Sequence, residues 1–344
     1  QHAAPVKRTV IAILKVGLPL AIGVWLVFYF YDALEPKQRE ELFEAFRQAD
    51  LRWLILASFV GWLSHISRAW RWRYILEPMG YRPGFWNCYH AVMIGYFMNL
   101  FLPRAGEASR AVSLYRTEKV PFEKGFGTIL AERAVDMLML LGIAGVTLLL
   151  QLEKLDLFKS RIAAFRESQG PAQEGGIAWG PWIMAGLAAI AIVAVYLIAT
   201  RPTLRYKVRE LLRGFSQGLR AVFRTKDRVG FLLHTLIIWA AYVGMFKLGF
   251  YALPETVDVP MAGILAGFVA GAVGIVLVQG GIGVYPAFVA LIVSIYMLPP
   301  VGGGYIRPEA LAMGWLLWVA QTLMLIVLGG LSLLLLAIKR PAAK

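Results

Sequence analysis

Apolar runs long enough to cross hydrocarbon as helices recur from one end of this chain to the other. The first, Val10–Tyr31, would extend about 33 Å as a helix. Further full spans are expected at Leu51–Ser67, Gly125–Leu152, Trp179–Thr200, Val229–Leu253 and Pro308–Ile338. Only 16% of the 344 residues are charged and 59% are hydrophobic, whereas soluble domains carry about 25% charged residues. The expected fold class is an all-α polytopic membrane protein, not a soluble domain on an anchor. Val10–Tyr31 is longer than a signal-peptide core and shows no small-residue cleavage site, so it reads as a retained first helix.

Charge orients these spans. The formal net charge of +14 sits in loops, which fits positive-inside topology and anionic headgroups. The basic clusters lack the fold signals of a nucleic-acid module, so no nucleic-acid partner is expected. Arg201–Arg228 holds nine basic residues and two acids and is the strongest inside signal. Lys339 and Arg340 place the end of the last helix inside as well, so both termini are expected in the cytoplasm. Asp32–Asp50 is acid-rich and reads as an outer loop, as does 153–178. Arg68, Arg71, Arg73 and Arg82 interleave with Trp70, Trp72 and Tyr74. That pattern reads as an interfacial anchor at the inner boundary, with a lipid-headgroup site as the alternative.

Two regions do not fit single crossings. Phe85–Lys124 begins inside, after Arg82, and must return inside, because Gly125–Leu152 ends outside. A re-entrant helical hairpin over 85–124, turning at Pro103–Gly106, satisfies this. Met261–Pro300 begins and ends outside and is split by Gln279-Gly280-Gly281-Ile282-Gly283. It reads as a second re-entrant hairpin over 261–300; two full crossings with a tight inner turn are the alternative. Six full spans and two hairpins then divide into a first repeat, 1–152, the loop 153–178, and a second repeat, 179–344. Each repeat reads span, span, hairpin, span, in opposite orientations. Such inverted-topology repeats occur in secondary transporters, with sites where broken helices meet near the midplane. Irregular backbone at that depth must line protein or a wet cavity.

Three constellations carry the candidate chemistry. In Arg104-Ala105-Gly106-Glu107-Ala108-Ser109-Arg110, Glu107 and Arg110 share a helical face and can pair, and Gly106 allows a close turn. Charges at membrane depth cost about 2.5–3.5 kcal/mol each on insertion scales, so they should be paired or hydrated; a cytoplasmic loop is the bland alternative. In Glu132-Arg133-Ala134-Val135-Asp136, Arg133 and Asp136 are neighbours, while Glu132 and Asp136 would repel unless a cation intervenes. Arg104 or Arg110 could supply it. The network is then either a structural ion-pair lock or a site in which a guanidinium is free to fork onto a lipid phosphate. The third is the Gly280-Gly281-Ile282-Gly283 turn, whose following half-helix would aim N–H groups at an anion. Gly263, Gly267 and Gly271, at four-residue spacing, read as helix packing.

The lone cysteine, Cys88, excludes an intramolecular disulfide and a cysteine metal site. His65, His90 and His234 show no ligand spacing, and no catalytic or nucleotide-binding motif appears. No catalytic residue, metal or cofactor is expected.

In their order, Gly106-Glu107-x-x-Arg110, Glu132-Arg133-x-x-Asp136 and Gly280-Gly281-x-Gly283 resemble the membrane domain of lysylphosphatidylglycerol synthases and its stand-alone flippase-like relatives, over nearly the whole chain. Where many relatives carry a carboxylate just after the glycine turn, Val284, Tyr285 and Pro286 stand here. The sequence covers the membrane part alone, so the resemblance implies movement of a lipid between leaflets, not its lysylation. The expected substrate is an anionic or zwitterionic phospholipid or a polyprenyl-phosphate lipid, and the expected location a bacterial cytoplasmic membrane. Arg104, Glu107, Arg110, Glu132, Arg133, Asp136, Gly280, Gly281 and Gly283 are the expected substrate-binding residues. A membrane-embedded lipid-modifying enzyme using Glu107 or Asp136 as acid or base, or a non-catalytic subunit of such an enzyme, are the rival readings. A homo-oligomer or a lipid-synthesis enzyme are possible protein partners.

Overall fold

A computed structural model describes residues 17, 21–32, 34–102, 105–152, 200–202, 205–206, 209, 225–297 and 306–338. Among them every regular element is helical. The expected span at Trp179–Thr200, the loop 153–178, most of the basic stretch to Arg228, and the start of the first span lie outside the described residues, as do Pro103 and Arg104.

The end of the first span forms α1, Ala21–Asp32. A short surface helix, α2 (Pro36–Gln48), follows; Pro36 opens it and Gln38 reaches back to the Glu35 N–H at 3.1 Å. Next come α3 (Leu51–Leu76), α4 (Phe85–Phe101), α5 (Ala105–Glu118) and α6 (Phe122–Leu152). Then α7 (Arg228–Gly249), α8 (Met261–Leu277), α9 (Val284–Ser294) and α10 (Pro308–Ile338) complete the described part. Asp50 caps α3 by accepting from the Arg52 N–H at 2.9 Å, and Asp227 caps α7 through the Gly230 N–H at 2.7 Å.

Among the described residues, three segments are long and apolar enough to cross a membrane: Phe122–Leu152, Arg228–Ala252 and Pro308–Ile338. The second span differs from the expectation. Instead of stopping at Ser67, its helix continues to Leu76 and carries Arg68, Arg71 and Arg73 with it. The helix holds because its basic residues on one face meet carboxylates on a neighbour.

The order α3–α4–α5–α6 has a counterpart in α7–α8–α9–α10. Both α4 and α8 have 17 residues, and both α6 and α10 have 31. Seventeen helical residues reach about 26 Å, short of the ~30 Å of hydrocarbon. Both short helices end in one extended residue, Leu102 (φ −127°, ψ 122°) and Val278 (φ −123°, ψ 132°), before the chain reverses into α5 or α9. Each hairpin packs arm on arm, α3 lies along α7, and each closing helix packs on the other set's hairpin, α10 on α4 and α6 on α8. Two large apolar clusters and a small one (Ile75, Val135, Phe231) result among the described residues. One large cluster surrounds the first hairpin (Trp72, Leu76, Val92, Met93, Leu114) and the other the second (Phe246, Val289, Val293, Leu311, Leu317).

Candidate functional site

The first hairpin is closed by small residues. A Cβ on Gly106 would strike the Gly95 carbonyl and the Asn99 amide, and Asn99 accepts from the Gly106 N–H at 2.7 Å. Gly106 therefore serves close approach of α5 to α4 inside the first helical turn, and not the turn itself. At the base, Glu118 accepts from the Gly84 N–H at 2.7 Å and from Asn87 at 2.6 Å, tying the two ends of the hairpin together.

This packing sets α5 beside α6, and the charged motifs meet across helices, not within them. Arg110 Nη2 lies 2.7 Å from Glu132 Oε2, and Arg133 Nη2 lies 3.1 Å from Glu107 Oε1. The expected pairs Glu107–Arg110 and Arg133–Asp136 are replaced by these partners. The two motifs lie on neighbouring helices, α5 and α6, and packing brings the partners across that interface closer than those within one helix. Asp136 is claimed by α3 instead: Arg68 Nη1 donates to its Oδ2 at 2.6 Å, and Arg71 Nη1 stands 2.9 Å from its Oδ1. Arg71 Nε is also 3.5 Å from Glu132 Oε1.

The result is an alternating chain, Arg68–Asp136–Arg71–Glu132–Arg110, joining α3, α6 and α5. Arg71 and Glu132 have no exposed side-chain surface at all. The cations that hold Glu132 and Asp136 together are thus Arg68, Arg71 and Arg110. Reading Arg68 and Arg71 as an interfacial anchor is overturned by their burial. Their one sequence signal was a three-residue spacing at the end of an apolar run, which puts both on one helical face.

Around the chain, Arg110 stacks on Trp72 with its guanidinium carbon 3.7 Å from the ring centre. Trp72 donates to Thr128 at 2.8 Å. Arg71 reaches Thr235 at 3.1 Å and Arg68 reaches the Tyr242 hydroxyl at 3.2 Å, both on α7. Tyr242 in turn meets the Tyr96 hydroxyl at 3.1 Å, so α4 and α7 touch through polar groups. Tyr96, Asn99 and Tyr242 carry no sequence signal, since aromatic and amide residues in apolar helices are usually packing, and Trp72 read as part of the interfacial anchor.

Outside the alternating chain, Glu107 and Arg133 have 21% and 42% of their side chains exposed. Both line a small cleft, about 250 Å³ including its open mouth, together with Gly95, Tyr96, Asn99 and Arg110. Arg104 lies outside the described residues.

The glycine turn sits elsewhere. Gly280, Gly281 and Gly283 have φ of 66°, 70° and 70°, a region that only glycine enters without cost. Gly283 meets the backbone of Gly23 on α1 so closely that a Cβ has no room. The Gly280 carbonyl accepts from Trp318 Nε1 at 2.6 Å. The turn also touches α4, but its glycines do not line the cleft. Gly263, Gly267 and Gly271 pack against Tyr296, Val293 and Tyr285 of the opposing arm, as their spacing predicts. No group of three or more histidine, cysteine or acidic side chains able to hold a metal occurs among the described residues.

Apolar helices around a buried ion-pair chain, with short paired helices between long ones, define a multi-pass helical membrane protein. The family model described as the lysylphosphatidylglycerol synthase TM region matches residues 16–330, and the chain belongs to that family. It is similar to a UPF0104 membrane protein of Methanocaldococcus jannaschii, 33% identical over 87 residues, 24% of this chain and 26% of the relative. It is also similar to glycosyltransferase AglD of Haloferax volcanii, 33% identical over 109 residues, 31% of this chain and 18% of the relative. The matched segments therefore span about a quarter or less of these relatives. No solved structure matches.

Proposed function

We propose that this protein moves a polar lipid between bilayer leaflets, with the headgroup held at the cleft beside the first hairpin and the acyl tails left in the bilayer. The observation that carries this reading is the arrangement of four arginines and three carboxylates across α3, α5 and α6, entered through a cleft lined by Arg110, Arg133 and Glu107. Buried charge is costly in a membrane protein and commonly marks a substrate path. Membership of a family described by a lipid synthase's membrane region points to the same chemistry.

On this reading the two hairpins are re-entrant from opposite sides and the two four-helix sets form an inverted repeat. Their matched lengths and exchanged packing support it. Rocking of one set against the other would expose the cleft to each leaflet in turn. Both termini lie in the cytoplasm, and substrates are phospholipids or polyprenyl-phosphate lipids. Within the site, Arg110 and Arg133 contact substrate, whereas Glu132 and Asp136 position the arginines.

A second reading, a membrane subunit serving a lipid-linked sugar enzyme, is favoured by the match to part of a protein named as a glycosyltransferase. Leaflet exchange of a fluorescent phospholipid in proteoliposomes tests the proposal. Arg110→Gln and Arg133→Gln should each slow exchange about tenfold or more, as expected when a charged hydrogen bond is lost, with the lipid recovered chemically unchanged. Normal exchange by both variants would overturn it.

A further inference from the structure

The two tiers of the network have different capacities. In the buried chain each carboxylate already stands between two guanidinium groups: Asp136 between Arg68 and Arg71, and Glu132 between Arg71 and Arg110. Each of their oxygens lies within 3.5 Å of a guanidinium nitrogen. The arginines are different. Arg110 is buried, yet its Nε has no hydrogen-bond partner among the described residues. Its ring-facing side is occupied by Trp72, so its unused donor lies at an edge of the guanidinium plane, and the residue lines the cleft. Among the described residues, Arg133 is engaged by Glu107 alone among carboxylates, and Glu107 Oε2 is itself buried without a hydrogen-bond partner. Among the described residues of the network, four positive charges face three negative ones.

We propose that this cleft takes a singly anionic phosphate group, and that Glu107 is an internal stand-in for it. In the empty protein the Glu107 carboxylate occupies Arg133. An incoming phosphate oxygen displaces it and bridges Arg133 to the unused edge of Arg110, as planar guanidinium groups do with phosphate. Glu107 keeps 21% of its side chain exposed, so the displaced carboxylate can be hydrated. Glu107 therefore sets affinity by competition and excludes ligands that bring no negative charge of their own. A cationic headgroup finds no free carboxylate in the buried tier. This assignment rests on the lipid-transport reading for its biological meaning, but its test is binding and does not require transport.

The full chain in detergent is titrated with short-chain phosphatidylglycerol, a short-chain diacylglycerol that lacks the phosphate, and inorganic phosphate, with binding read by thermophoresis. Wild type should bind phosphatidylglycerol more tightly than diacylglycerol. Arg133→Gln should weaken phosphatidylglycerol about tenfold or more, from loss of a charged hydrogen bond, and Arg133→Lys, which keeps charge but not the fork, should fall between. Glu107→Gln keeps the shape and removes the competitor, so it should tighten phosphatidylglycerol several-fold.

Competition by millimolar inorganic phosphate would assign the group to free phosphate, and its absence to a lipid headgroup; both keep the anion site. Weakening by Glu107→Gln equal to that by Arg133→Gln would overturn the stand-in, and equal affinity for diacylglycerol would overturn the anion site. The expected binding pattern without leaflet exchange removes the transport reading alone. Leaflet exchange without that pattern removes the anion site alone.

Discussion

The two hairpins share a scaffold and differ in what fills it. The arms α4 and α8 have equal length and end in the same extended residue conformation. The first hairpin then turns into a helix bearing Glu107 and Arg110, and its arms are tied at the base by Glu118. The second turns through three left-handed glycines into a helix with no charged residue, and its arms meet through Gly263, Gly267, Gly271 and Gly274. One hairpin is thus built to hold charge against α6, the other to let backbones touch. A family of this architecture can place its chemistry in one half and use the other for packing. Small residues allow close backbone approach, where dispersion contacts stabilise helix pairs in lipid.

This contrast can be broken experimentally. The largest effect is expected at Asp136→Ala, which leaves Arg68 and Arg71 buried with a missing counter-charge. Loss of one partner of a buried pair costs about 3–5 kcal/mol, so thermal unfolding in detergent should occur at clearly lower temperature. An unchanged midpoint would show that the first hairpin's ion pairs do not hold it. Gly106→Ala should cost about 1–3 kcal/mol by overpacking, because its new methyl group meets the Gly95 carbonyl; loss of binding at the cleft should accompany it.

Gly280→Ala isolates the backbone term in the second hairpin. A Cβ there meets nothing, so only the positive φ opposes it, at about 1–2 kcal/mol. A larger loss would mean that the turn makes contacts beyond its conformation. Smallest, and opposite in sign, is Gly142→Ala on α6, where a Cβ also meets nothing and φ is helical. Ala there should stabilise by about 0.5–1 kcal/mol; a loss would mean that this face is packed in the membrane.

Legibility followed the range of the interactions. Helix positions at α6, α7 and α10 were readable because a long apolar run can satisfy its backbone in lipid only by coiling on itself. The presence of short paired helices at 85–118 and 261–294 was readable because charge and length argued against single crossings there. Glu132 and Asp136 on one face were readable as needing a cation. Arg110 was readable as one such cation, but Arg68 and Arg71 were not: Arg68 lies 68 residues from Asp136, and its aromatic neighbours imitate an interfacial belt. The end of α3 was misplaced for the same reason, since a basic residue ends a span only if no carboxylate waits inside.

By itself the sequence determined that the chain is a bundle of membrane helices and that the charges of two motifs require partners. The tertiary structure alone decided the pairing, Glu107 with Arg133, Glu132 with Arg71 and Arg110, and Asp136 with Arg68 and Arg71. Helical periodicity specifies which face a side chain occupies, but only packing of distant helices fixes which opposite charge comes within reach of it.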